Sequence, residues 1–168
     1  MQSITSETIS LGQPNMVPYL IPIDYKSTPT CINHPLIVNG ERYKITAMSL
    51  GTPHGAVHVD DIDSVDVPTL GAALGTHALF PKGASVVFIQ VIDSDNLKAR
   101  LWQLGEGESS FSPEAACVAG ITAILLGKTI AKEINVCMAG NNFHVKWDGG
   151  NEDVYLSGPA EWVKGKTK

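Results

Sequence analysis

The segment from Ser112 to Leu126 limits the possible folds of this chain more than any other. Ser112-Pro113-Glu114 is a helix start: the serine can accept from a first-turn amide, proline suits the first helical position, and glutamate meets the positive end of the dipole. Beyond it, Ala116, Val118, Ala119, Ile121, Ala123, Ile124 and Leu125 leave no polar face, so the helix must be surrounded by protein. Gly127 and Lys128 mark its end.

The segments around it are strand-like. Leu36–Val38, the turn pair Asn39-Gly40 and Tyr43–Leu50 form a β-hairpin pattern, because Asn-Gly supplies the positive φ angles of a two-residue turn. Ala56–Val59 adds a short strand, and Ser85–Ile92 and Leu97–Leu104 a second hairpin across Asp93-Ser94-Asp95-Asn96. Ile134–Met138, Phe143–Trp147 and Val154–Leu156 follow, separated by turns at Gly140-Asn141 and Gly149-Gly150, with Trp162-Val163 as a terminal strand. One further helix is predicted over Pro68–Leu79, where Leu70, Ala73, Leu74 and His77 recur at helical spacing. Five prolines between Gly12 and Pro35 make that stretch an extended connector. The predicted architecture is α+β, a curved, mostly antiparallel sheet wrapped around one buried central helix. Residues 1–35 form an extended, Pro-rich segment packed on a single domain over 36–168.

With 43% apolar and 17% charged residues the chain has the composition of a packed domain. A net charge of -5, with basic residues clustered only at Lys164, Lys166 and Lys168, argues against nucleic acid as a partner. The start at Met1–Leu11 is too polar for a signal peptide, and no apolar run is long enough to span a membrane. Cys31, Cys117 and Cys137 show no C-x-x-C spacing, which points to the cytoplasm and to no metal site; His34, His58 and His144 add no metal spacing. Asp60, Asp61, Asp63 and Asp66 are expected to form a solvated acidic edge. Gly105-Glu106-Gly107 lacks the context of a nucleotide-binding loop.

Several motifs, taken in order, resemble the second half of diaminopimelate epimerases. Ser49-Leu50-Gly51-Thr52-Pro53-His54 with Val59-Asp60-Asp61 is similar to the family's S-x-G-N-P-H and V-D-D. His77-Ala78-Leu79-Phe80-Pro81 resembles H-P-L-F-P, and Val87-Phe88-Ile89-Gln90-Val91 resembles a V-E-F-V-Q-V strand. Tyr155-Leu156-Ser157-Gly158-Pro159-Ala160-Glu161 resembles the closing Y-M-T-G-P-A-E. The resemblance implies a cofactor-independent epimerase of two similar halves, with one cysteine from each half facing the substrate α-carbon. Only the second half is matched here.

At the positions where the resemblance implies chemistry, this chain differs. The family's C-G-T-G-A-C corresponds to Ser112-Pro113-Glu114-Ala115-Ala116-Cys117, so Ser112 takes the catalytic cysteine's place and Cys117 that of the structural one. An unactivated serine hydroxyl is far less acidic than a thiol of pKa about 8.5. Pro113 lacks an amide hydrogen, and Glu114 adds negative charge where a carboxylate would dock. The E-R-G motif becomes Gln103-Leu104-Gly105, while Thr52 and Ser85 stand in place of two asparagines and His54 is retained. No catalytic residue is assigned. Thr52, His54, Ser85, Gln103, Leu104, Ser112, Pro113 and Glu114 are the ligand-binding candidates, with no metal and no cofactor. On local physics alone Ser112 is equally a helix cap and His54 a turn histidine. The expected function is that of a non-catalytic relative binding a small amino-acid-like ligand or a partner, as a homodimer or with a separately encoded first half. The alternative is an isomerase with altered acid–base groups, Glu114 or His54 among them.

Overall fold

The structure is a computed structural model in which residues 6–163 are described; the Lys164, Lys166 and Lys168 tail lies outside them. Ten strands form one sheet: β1 (Ser6–Ser10), β2 (His34–Val38), β3 (Glu41–Ser49), β4 (Pro53–His58), β5 (Ser85–Val91), β6 (Asn96–Gln103), β7 (Gly107–Ser109), β8 (Glu133–Met138), β9 (Asn141–Trp147) and β10 (Val154–Pro159). Their order is β1-β10-β9-β8-β6-β5-β4-β3-β2, with β7 paired to β6. Among the described residues only β4–β5 and β6–β8 are parallel pairs. The helices are α1 (Val67–Gly75), α2 (Pro113–Leu125) and α3 (Ala160–Val163).

The sheet curves around α2, as the apolar run requires. Residues Ala115–Ile121 of α2 are buried, and the helix packs on β4, β5, β6, β8, β9 and β10. The opposite face of β2–β6 is covered by α1 and by the connector through Ile21, Ile23 and Cys31. β5 is therefore buried on both faces: Val87 and Ile89 meet the α2 core, Val86 and Phe88 the other. That double burial is why its sequence is continuously apolar. On β8 and β9 only the α2 side is covered, and the alternation of Ile134, Val136 and Met138 with Glu133, Asn135 and Cys137 follows from it.

The proline-rich connector ties the two ends of the curved sheet together. Leu11 donates to the Val154 carbonyl (3.0 Å) and Val154 to that of Gly12 (2.9 Å), while Asn15 and Ser49 exchange bonds of 2.9 and 2.8 Å. β1 and β7 have no counterpart in the sequence reading.

Three expectations need correction. The first helix stops at Gly75 because its carbonyl accepts from Ala84 (2.9 Å); His77–Phe80 then turn, with His77 Nδ1 accepting from the Leu79 amide (3.0 Å). The β8–β9 turn lies on Ala139-Gly140, with φ of 53° and 76°, rather than on Gly140-Asn141. Trp162-Val163 belongs to α3, not to a strand, because Trp162 sets its ring edge-on to Phe111, which stacks on Phe143. The acidic edge is exposed as expected at Asp60, Asp61, Asp63 and Asp66, and two of its residues cap as well: Asp61 accepts from the Asp63 amide and Asp66 from that of Thr69.

Candidate functional site

The candidate positions collect at one end of the curved sheet, around the start of α2. Parallel pairing sets His54 of β4 beside Ser85 of β5. The Ser85 hydroxyl accepts from the Leu104 amide at 3.0 Å and so fixes the turn after β6, next to Gln103. His54 lies on the same strand face as Ala56, toward the α2 core, and is 3% exposed. Its Nδ1 is 3.0 Å from the Thr52 carbonyl. A carbonyl can only accept, so Nδ1 carries the hydrogen and Nε2 a lone pair.

At the helix start, Ser112 is extended (φ -144°) and its hydroxyl accepts from Ala115 at 2.9 Å. Its carbonyl accepts from Ala116 at 3.1 Å. Pro113 and Glu114 complete the first turn, and the Glu114 charge acts on His54. Burial lowers the His54 pKa; the Thr52 carbonyl and Glu114 oppose that shift only partly. All eight candidates thus fall at this end: Thr52, His54, Ser85, Gln103 and Leu104 on the sheet side, Ser112, Pro113 and Glu114 on the helix.

No thiol stands ready there. Cys117 is buried within α2, and burial, aided by Glu114, raises its pKa far above the ordinary range. Burial pushes the Cys31 thiol up to about 11, and that residue belongs to the other core. Among the described residues no group of three His, Cys, Asp or Glu is arranged to hold a metal.

Two features escaped the sequence reading. One is a cleft of about 500 Å³ lined by Asn15, Met16, Val17 and Ile32 of the connector with Leu125 and Trp147. It requires the connector to lie against the end of α2, which no local pattern encodes. The other is His58, whose buried Nε2 has no hydrogen-bond partner among the described residues.

His58 makes stability depend on pH. Burial, reinforced by the Lys128 charge, lowers its pKa from 6.5 to about 4. The fold holds the neutral ring while the unfolded chain binds a proton near pH 6.5. Stability from this residue is complete above pH 6.5 and is lost as pH falls to about 4. After discounting for its partial exposure the loss is about 1–2 kcal/mol. Urea titrations at pH 7 and pH 4 should show a smaller loss in His58→Gln than in the parent chain. Equal losses would remove His58 from this account.

The family model for diaminopimelate epimerase matches residues 46–163, more than half of the chain. The chain belongs to the diaminopimelate epimerase family. It is 34% identical to the diaminopimelate epimerase of Leptospira biflexa over 93% of its own length and 55% of that protein. It is 36% identical to that of Bacillus cereus, over 95% of this chain and 56% of that one. The chain thus spans about half the length of the curated relatives it matches. Among solved structures, a hydroxyproline epimerase from Agrobacterium vitis superposes with a TM-score of 0.62 at 13% identity, covering 92% of this chain and 49% of that one. A phenazine biosynthesis protein of the PhzF family from Bacillus anthracis gives 0.58 at 14% identity, over 93% of this chain and 58% of that one. At these identities the two structures establish a shared fold.

Proposed function

We propose that this chain keeps the epimerase-family scaffold but works by binding, through the candidate positions gathered around the start of α2 and through a partner chain. The observation that carries this reading is the state of Ser112: its hydroxyl is committed to the Ala115 amide as a helix cap. A hydroxyl many pKa units less acidic than a thiol does not replace one in proton transfer at carbon. The lost Glu-Arg pair at Gln103-Leu104 supports the same conclusion. Ser112→Ala should cost about 1 kcal/mol of stability, read by thermal or urea denaturation, and leave the product of an incubation with LL-diaminopimelate unchanged on chiral chromatography. Stereoinversion by the parent chain that disappears in Ser112→Ala contradicts the reading.

The partner is a second copy or a separately encoded first half. Its support is that relatives carry about twice this length and that β1 and β2 end the sheet. Such edges invite pairing. Light scattering at high micromolar concentration should read more than one chain, alone or with the first half supplied; a monomer under both conditions removes this arm. The cytoplasm fits three free cysteines.

A second reading, a cofactor-independent isomerase using other groups, is favoured by one observation: the His54 ring, its Nδ1 hydrogen held by the Thr52 carbonyl, keeps a lone pair on Nε2.

A further inference from the structure

The end of the molecule at the C-terminus of α2 carries two features that the candidate site does not use. One is the cleft of about 500 Å³ between the connector and α2, whose wall of Met16, Val17, Ile32, Leu125 and Trp147 is apolar and which no charged side chain among the described residues lines. The other is Ile130, fully exposed in the loop from α2 to β8. A lone exposed apolar side chain is ordinary. Here it stands next to an open apolar recess: Leu125, just before the loop, lines the cleft, and Lys132, at the loop's far end, accepts at its carbonyl from the amide of Trp147 (2.9 Å), which lines it too.

Charge divides the same end in two. Residues 127–132, around Ile130, include Lys128 and Lys132 and no acid. Residues 148–152, the turn that brings Gly150 and Asn151 to the cleft, include Asp148 and Glu152 and no base. All four charged residues are exposed. The projection is thus flanked by positive charge and the recess by negative. Within one chain the two do not close on each other, since Ile130 is wholly in solvent. A face that holds both halves of a complementary pair side by side is met by its own copy, turned through a two-fold axis.

Resting on the partner reading above and choosing between its two partners, we infer that this face joins two copies of the chain. Ile130 of each copy sits in the cleft of the other, and Lys128 and Lys132 face the partner's Asp148 and Glu152. The candidate positions around Ser112 lie at the opposite end of α2 and stay clear of this face.

Sedimentation equilibrium of the full 168-residue chain at high micromolar concentration should give the mass of two chains. Ile130→Glu should weaken association on the order of a hundredfold, because the two-fold counts the substitution twice. Its melting curve should match the parent's, since an exposed residue 130 supports nothing in its own chain. Charge reversal supplies the positive test. A chain with Lys128→Glu and Lys132→Glu, and another with Asp148→Lys and Glu152→Lys, should each be monomeric alone, where like charges meet across the axis, and should pair when mixed, where every contact is again between opposite charges. A parent dimer that persists in Ile130→Glu, or reversed chains that fail to pair, overturns this face while leaving a second copy as partner through another surface. A parent chain that is monomeric alone overturns the proposal, and if it then pairs with a supplied first half the partner reading stands without it.

Discussion

Gly120→Val should lose about 3–5 kcal/mol of stability, most of what a domain of this size has to spare. Gly120 sits at the centre of α2, where the helix presses on β9. A methyl group there would lie 2.5 Å from Val145 Cγ1 and 2.7 Å from its Cβ. Val145 is buried on a central strand and cannot withdraw without moving β9 or the helix. Against this stands only the better helix propensity of valine over glycine, a few tenths of a kcal/mol. Sterics decide the sign. Gly120→Ala should lose less, because its propensity gain of about 1 kcal/mol offsets more of a smaller overlap. Urea denaturation followed by circular dichroism reads both variants. An unchanged midpoint for Gly120→Val would mean that α2 stands off the sheet, contrary to the packing described above.

The same helix shows how much was legible in the sequence. An all-apolar run behind a Ser-Pro-Glu start has one physical meaning, and the cap at Ser112 and the burial of Ala115–Ile121 follow from it. The Asn39-Gly40 turn was legible because positive φ is cheap for those residues, here 53° and 80°. Ala139 was not: alanine is disfavoured at a φ of 53°, and the register of β8 and β9 imposes it. β1 was hidden for a different reason. Ser6–Ser10 carries one apolar residue, Ile9, and is a strand only because β10 returns to pair Ile9 with Leu156. Around the start of α2, motif order nominated eight candidate positions, but the Thr52 carbonyl that sets the His54 tautomer and the Ser85–Leu104 bond exist only in three dimensions.

The second large effect concerns chemistry. Removing a proton from an amino-acid α-carbon needs a strong base poised at the carbon, and this family's device is a thiol pair. Here the helix start carries a hydroxyl already engaged in capping, and Cys117 is sealed in the core with its pKa raised. His54 is 3% exposed, and burial lowers its pKa. On the binding reading proposed above, neither arrangement is expected to act as a matched acid and base at one carbon. The difference from an active epimerase should therefore be several orders of magnitude in rate, beyond anything a change in binding alone produces.

Exchange of the α-hydrogen is the most sensitive reading of this claim, since one base suffices to exchange a proton even where inversion requires two groups. LL-diaminopimelate incubated in deuterated water with the 168-residue chain should keep its α-hydrogen, with NMR signals decaying no faster than in buffer. Enzyme-dependent loss of that signal, abolished by His54→Asn or Glu114→Gln, would contradict the account and establish the isomerase reading in its place.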